Sequence, residues 1–374
     1  MNLALGSSIV ISPAPRSAPR SVQAAPRLAL LGTGTVGAAF VARCEALRAR
    51  GVPVPAFAWL SNSRALADGD EAHADALRRL RAAPAREGAW APWVEAESLR
   101  RGDIVIDATA SDSVAGWHSE WLARGIHVVT ANKLGNGADL ARAQAIAEAG
   151  REHGARYGDG ATVGAGLPLL RSIRELVAGG DRIRSIEGVL SGSLAWLFDR
   201  YDGTRPFSGL VREARAAGYT EPDPRIDLSG EDVRRKLLIL ARAAGAPLRT
   251  EQVEVKSLVP DLLAQASSAT IDTALPALDA PLCERYRRAH GNGERLQYVG
   301  SFAIGEAGAV RADVGLRALP RDHPLCGGGG TDNRVAIRSC RYDAQPLLIQ
   351  GPGAGAGVTA AALLDDVLRI ASLA

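Results

Sequence analysis

The stretch Leu28-Ala-Leu-Leu-Gly-Thr-Gly-Thr-Val-Gly37 sets four apolar residues against a Gly-x-Gly-x-x-Gly turn, and a helical pattern follows over residues 38–50. Strand, tight turn and helix in this order form the phosphate-binding start of a doubly wound sheet. Gly32 permits the turn, Gly34 lets backbone approach a pyrophosphate, and Gly37 allows the helix to pack closely on the strand. The helix N-terminus offers N–H groups and the positive end of a dipole to the phosphates. Glycines at this spacing also occur in purely structural turns. Their placement between a strand and a helix, where the folded part of the chain opens, favours the dinucleotide reading.

Further apolar runs over residues 54–60, 104–108 and 126–130 recur at the spacing of strand–helix repeats. That alternation predicts an α/β architecture, a parallel sheet with helices on both faces. The second run leads into Leu60-Ser-Asn-Ser-Arg64. An acid at this strand end would hold a ribose 2′-OH, whereas an arginine suits a 2′-phosphate. No acid is present and Arg64 is, so NADP(H) is the expected cofactor and NAD(H) remains open. The plain alternative is that Arg64 starts a surface helix.

The 374 residues suffice for two domains with large cores. With 47% hydrophobic and 23% charged residues the composition is that of an ordinary globular protein. A formal net charge of +3 implies no nucleic-acid partner. Cys44, Cys283, Cys326 and Cys340 are far apart and form no Cys-x-x-Cys pair, which argues against a zinc site or a disulfide framework and suits a reducing cytosol. No apolar run approaches the roughly 20 residues that span a bilayer. Residues 1–26 are rich in Ala, Pro, Ser and Arg without an acid, a composition shared with transit leaders. Pro13, Pro15, Pro19 and Pro26 break any amphipathic helix there, so this segment is read as a disordered extension.

The chemistry concentrates in Gly218-Tyr-Thr-Glu-Pro-Asp-Pro-Arg-Ile-Asp-Leu-Ser-Gly-Glu-Asp-Val-Arg-Arg-Lys236. Pro222 and Pro224 predict a stiff, non-helical loop, and Ser229 is placed to cap the helix that follows. Asp232 and Lys236 then stand four apart on one face. Such a pair is commonly a surface ion pair. Here it follows a rigid acidic loop and precedes the apolar Leu237-Leu-Ile-Leu240, so Lys236 is a candidate proton donor.

These motifs together resemble homoserine dehydrogenase. The resemblance runs through Gly32–Gly37, Asp107-Ala-Thr-Ala-Ser111, Thr130-Ala-Asn-Lys133, Ala161-Thr-Val-Gly-Ala-Gly-Leu-Pro168 and Gly188-Val-Leu-Ser-Gly-Ser193. It continues through the segment 218–236 and ends with Gly351-Pro-Gly-Ala-Gly-Ala-Gly-Val-Thr-Ala360. The second half looks closest to the dehydrogenase part of the bifunctional aspartate kinase–homoserine dehydrogenases, here expected as a monofunctional chain. The resemblance implies NAD(P)H-dependent reduction of L-aspartate 4-semialdehyde to L-homoserine, on the route to threonine and methionine.

Each role the resemblance implies falls on a residue of this chain. Lys236 matches the catalytic lysine and Lys133 a second one, and which of them passes the proton stays open. The substrate ammonium needs carboxylates: Glu221 and Asp232 match substrate contacts and Asp227 a neighbouring acid of the same substrate-binding site, with Asp232 also able to orient Lys236. Ser193 matches a small hydroxyl at the substrate, although a turn role fits it equally. Thr35, Val36, Thr109 and Lys133 match cofactor contacts, as do Gly218 and Gly355 through backbone. The carbonyls of Val163, Ala165 and Leu167 match a monovalent-cation site for Na or K. The acid usual at the position of Gly160 is missing, leaving Asp159 or a water to fill its place. The implied fold is a Rossmann-type doubly wound nucleotide-binding domain, residues 27–161 completed by 351–374. An α+β catalytic and dimerisation domain, 162–350, joins it in a cytoplasmic homodimer.

Two rivals are weighed against this. An aldehyde oxidation through a cysteine thioester needs an activated Cys in the site, and none of the four lies in a motif. An idle cofactor-binding sensor could dispense with Asp232, Lys236 and Lys133, and all three are present.

Overall fold

Two six-stranded sheets organise the chain, seen in a computed structural model that describes residues 25–88, 91–305 and 308–372. The extension expected over residues 1–26 lies, but for its last two residues, outside this range. The first sheet is built from β1 (Leu28–Leu31), β2 (Phe57–Ser61), β3 (Leu66–Asp68), β4 (Ile104–Asp107), β5 (His127–Thr130) and β6 (Tyr157–Gly158). Its order is β3-β2-β1-β4-β5-β6, parallel throughout except for β3 against β2. The apolar run beginning at Val54 becomes a strand only from Phe57, because Pro53 and Pro55 cannot donate to a ladder.

Both faces of this sheet are covered, which is why its strands are apolar at consecutive positions. Leu28, Leu30, Ile104 and Ile106 point into one core with Phe40 and Val41 of the helix Thr35–Ala49. Leu363, Leu364 and Val367 of the last helix, Ala356–Ala371, fill the same core. Ala29, Leu31, Val105 and Val128 face the other way, against Trp93, Trp121 and Ile146. The period-two split of one apolar strand between two cores follows from the pleat.

The second sheet holds β7 (Ile183–Val189), β8 (Val253–Val255), β9 (Glu294–Ile304), β10 (Val310–Pro320), β11 (Asp332–Ser339) and β12 (Leu347–Pro352). Its order is β12-β11-β7-β9-β10-β8, antiparallel except where β8 pairs β10. The helices Gly192–Arg200, Phe207–Ala216 and Glu231–Ala243 bury Leu194, Phe198, Phe207, Leu237 and Leu240 in one core with Ile186, Phe302, Val335 and Ile337 of the strands. The chemistry-bearing helix Glu231–Ala243 is therefore anchored by its apolar face on a sheet. Its first turn is left projecting toward the first sheet, where Asp232 meets Lys133.

Candidate active site

The turn after β1 is shaped for close backbone approach. A Cβ on Gly37 would lie 1.8 Å from the carbonyl oxygen of Gly32, and one on Gly32, at φ +94°, would lie 2.7 Å from that of Ala108. Only glycine fits either position. Gly32, Thr33 and Gly34 open onto a cavity of about 650 Å³ that Asn62, Ser63, Thr109, Ser111, Trp93, Val94 and Trp117 also line. Thr35 and Val36 begin the helix directly after Gly34, where N–H groups have no partner in the preceding turn. The cavity lies at the carboxyl ends of β1, β2 and β4, where open α/β sheets bind their ligands. Its glycine cradle, apolar indole walls and hydroxyls fit a dinucleotide.

Lys133 follows β5 and Lys236 lies on the helix Glu231–Ala243, and one carboxylate joins them. Asp232 Oδ2 is 2.7 Å from Lys236 Nζ, and Oδ1 is 3.3 Å from Lys133 Nζ. Burial works to raise the Asp232 carboxyl, but the ammonium groups of Lys236 and then Lys133 outweigh it and hold the group well below the usual carboxylate range. Lys236 is buried, with its Nζ donating to the carbonyl of Leu190 at 2.7 Å; Lys133 is about one-third exposed. The two ammonium groups thus meet on a shared counter-charge rather than facing each other bare.

Leu190 stands just ahead of the Ser-Gly-Ser turn. Ser191 Oγ accepts from the N–H of Leu194 and starts the helix Gly192–Arg200. Ser193 Oγ donates to Asp227 Oδ1 at 2.7 Å, and Asp227 Oδ2 accepts the Glu221 N–H at 2.9 Å. Ser193 and Asp227 are therefore tied to each other and to the loop backbone, whereas the exposed Glu221 carboxylate has neither a hydrogen-bond nor an ion-pair partner among the described residues. The loop departs from the non-helical expectation: Arg225–Leu228 makes one helical turn. Pro224 sits in helical geometry at its N-cap, where a missing N–H costs nothing. Ser229 ends that turn and accepts the Glu231 N–H at 3.3 Å, while Gly230 at φ +80° is the N-cap of the long helix.

In the segment 160–167, Ala165 has φ +51°, the one non-glycine residue in the left-handed region among those described. Leu167 N donates to Gly164 O at 2.9 Å, and Leu167 O accepts from Leu169 N. Asp159, next to Gly160, is engaged by other side chains. Its two oxygens hold Arg174 at 2.6 and 2.8 Å and accept Asn136 Nδ2 at 2.8 Å. Burial would raise its carboxyl, and Arg174 instead brings it below the ordinary value. Asp366 of the last helix faces Gly160 in its place, accepting the Gly160 N–H at 2.9 Å and pairing with Arg369. Burial pushes the Asp366 carboxyl up.

Arg64 is exposed and reaches the carbonyls of Ala83, at 3.2 Å, and Arg81, at 3.4 Å, at the C-terminal end of the helix His73–Ala82. Its backbone N–H goes to Asn62 Oδ1. Of the residues expected at the cofactor, Gly32, Gly34 and Thr109 line the cavity; Thr35, Val36, Gly37, Arg64, Lys133, Gly218 and Gly355 do not. Gly218 follows the helix Phe207–Ala216, and Gly355 is the N-cap of the last helix. Trp93, Trp117 and Asn62 escaped the sequence reading. Asn62, next to the strand end, was the nearest to a signal, whereas Trp93 and Trp117 carried none beyond being large apolar residues. The Leu190 carbonyl is a backbone acceptor and has no signature in side-chain identity.

Family comparisons agree with this geometry. A family model described as homoserine dehydrogenase matches residues 168–368, and one described as the homoserine dehydrogenase NAD binding domain matches 32–158. A chloroplastic bifunctional aspartokinase/homoserine dehydrogenase 2 of Zea mays is 43% identical over 298 residues, which cover 79% of this chain and 32% of that protein. The chain thus spans about a third of the length of such curated relatives. A homoserine dehydrogenase of Schizosaccharomyces pombe is 37% identical over 276 residues, covering 72% of this chain and 73% of that one. The crystal structure of a putative homoserine dehydrogenase from Archaeoglobus fulgidus superposes with a TM-score of 0.74 at 25% identity, over 92% of this chain and 99% of that one. The fold is that of a dinucleotide-binding domain joined to a second α+β domain. The chain belongs to the homoserine dehydrogenase family.

Proposed function

We propose that this protein reduces L-aspartate 4-semialdehyde to L-homoserine, and catalyses the reverse, with NADPH preferred over NADH. The observation that carries the proposal is the Lys133–Asp232–Lys236 bridge between the two sheets. When bound, the nicotinamide cofactor supplies the hydride. The chain's own task is then to place the aldehyde, receive its developing oxyanion and protonate it. Lys236 is suited to donate that proton, because Asp232 and Leu190 O fix its ammonium while leaving a buried cation at the site. Lys133 adds a second positive charge from the cofactor side. Glu221 offers its carboxylate to the substrate ammonium, with Ser193 and Asp227 holding the loop that presents it.

Residues 27–161 with 351–374 serve on this reading as the nucleotide-binding unit, and 162–350 as the catalytic and dimerisation unit of a cytoplasmic homodimer. The shared core of Phe40 and Leu363 supports the first assignment, and four unpaired cysteines suit a reducing compartment. Among the described residues no helix is long and apolar enough to cross a membrane. The carbonyls of Val163, Ala165 and Leu167 are the proposed ligands of Na or K, and the bond of Asp159 to Arg174 favours a water over Asp159 in the place of the acid absent at Gly160. Loss of NADPH absorbance on adding aspartate semialdehyde to the purified protein tests the activity. Size-exclusion chromatography with light scattering tests the dimer.

A further inference from the structure

We propose that His118, with Tyr157 behind it, is a positioning residue that holds Thr109 and Lys133 in register. The proposal rests on the dehydrogenase reading for the roles of those two residues. Asp107, at the end of β4, is wholly buried, and each of its oxygens accepts two hydrogen bonds. Oδ1 accepts from Thr109 N at 2.9 Å and Thr109 Oγ1 at 2.7 Å. Oδ2 meets His118 Nε2 at 3.0 Å and accepts from Asn132 Nδ2 at 2.9 Å. An ionised carboxylate has about four acceptor sites. All of them are therefore engaged, by three side chains and one backbone N–H from three different segments.

Thr109 lines the cofactor cavity, and Asn132 immediately precedes Lys133. Asn132 is bound on every side: Nδ2 also donates to Ser111 O at 2.8 Å, Oδ1 accepts the Leu134 N–H at 3.1 Å, and its own N–H goes to Thr130 Oγ1 at 2.9 Å. The backbone on both sides of Lys133 is thus tied, through one amide, to the carboxylate that also fixes Thr109. His118 is the fourth support of that carboxylate. It is wholly buried, and its Nδ1 lies 3.0 Å from Tyr157 OH. A neutral ring that donates from Nε2 then accepts the tyrosine proton at Nδ1. Gly135, in the loop that carries Lys133, leaves room for this pair, since a Cβ there would lie 2.3 Å from Tyr157 OH and 3.0 Å from His118 Nδ1.

Removing the His118 donor leaves one site of a buried carboxylate unmatched, and Asp107 must turn to recover a partner. Thr109 and Asn132 are bound to the same two oxygens and would turn with it. A small displacement of a catalytic or cofactor-contacting group costs up to about a hundredfold in rate. A loss of plain packing would lower stability and leave the folded molecules unimpaired.

The test compares His118→Leu, His118→Gln and Tyr157→Phe in the full chain by NADPH affinity from fluorescence titration, by kcat and KM, and by Tm. His118→Leu is expected to weaken NADPH binding and to lower kcat, each by about tenfold per folded molecule. His118→Gln, whose amide N–H can donate to Asp107, should recover both to within about twofold. Tyr157→Phe should fall between them. Wild-type NADPH affinity and kcat in His118→Leu, whatever its Tm, would overturn the proposal, as would Gln performing no better than Leu. If His118→Leu does not fold, Tyr157→Phe decides, and an unchanged affinity and kcat there counts against it. Absence of turnover in the wild type would instead defeat the dehydrogenase reading, with the NADPH affinities still judging the clamp.

Discussion

Lys236 and Asp232 stand one helical turn apart, and their Nζ and Oδ2 atoms meet at 2.7 Å while the other carboxylate oxygen reaches Lys133 of the opposite domain at 3.3 Å. An i,i+4 pair on an exposed helix contributes a few tenths of a kcal/mol. Here the same carboxylate also draws together two cations from different parts of the chain, at the place proposed for the developing oxyanion. Lys236→Ala is expected to lower kcat by roughly a hundredfold to ten-thousandfold, with NADPH affinity near wild type. Retention of more than about a tenth of wild-type kcat would transfer the proton to Lys133.

Asp232→Asn removes the shared counter-charge and leaves two ammonium groups close together. The folded-state Asp232 carboxyl is held below its unfolded value. Its contribution to stability is therefore present above the unfolded pKa, about 4, and is lost as pH falls through the folded one. Melting temperatures of wild type and Asp232→Asn should differ at neutral pH and converge on acidification. A gap that stays constant or widens as pH is taken below about 4, where both proteins still fold, would contradict the pairing.

Glu221→Gln keeps shape and removes charge at an acid that the structure leaves free of an ion pair. KM for homoserine should rise more than KM for NADP. An equal rise in both would assign Glu221 to holding the loop, beside Asp227.

The strand end Ser61-Asn-Ser-Arg64 offers no acid to a ribose hydroxyl, so kcat/KM should be higher with NADPH than with NADH. Arg64 rests on the carbonyls of Ala83 and Arg81, which are neutral partners that a 2′-phosphate can displace. Arg64→Ala should narrow the preference through KM by about tenfold to a hundredfold, the worth of a charge-assisted hydrogen bond. Preference for NADH in the wild type would sink this reading of the strand end and leave the dehydrogenase intact.

What could be read from sequence was what side-chain identity encodes. β1, β4 and β5 are short apolar runs beside glycine and threonine turns, and they were visible. β3 and β6, of three and two residues, are too short to show a period. Pro224 predicts a non-helical loop, yet a proline at the start of a helix loses no hydrogen bond, and Arg225–Leu228 turns helically behind it. Lys236, Asp232 and Lys133 were legible as candidates. Their convergence on one carboxylate depends on two domains meeting, which no local pattern contains. The Leu190 carbonyl, the indoles of Trp93 and Trp117, and Asp366 opposite Gly160 are products of tertiary packing alone.

The most direct test follows NADPH absorbance when aspartate semialdehyde is added to wild-type protein and to Lys236→Ala under identical conditions. Rapid oxidation of NADPH with formation of homoserine by the wild type, and nearly none by a variant that still binds NADPH, is the predicted result. No substrate-dependent oxidation by a folded, NADPH-binding wild type, or equal rates in the two proteins, would contradict it.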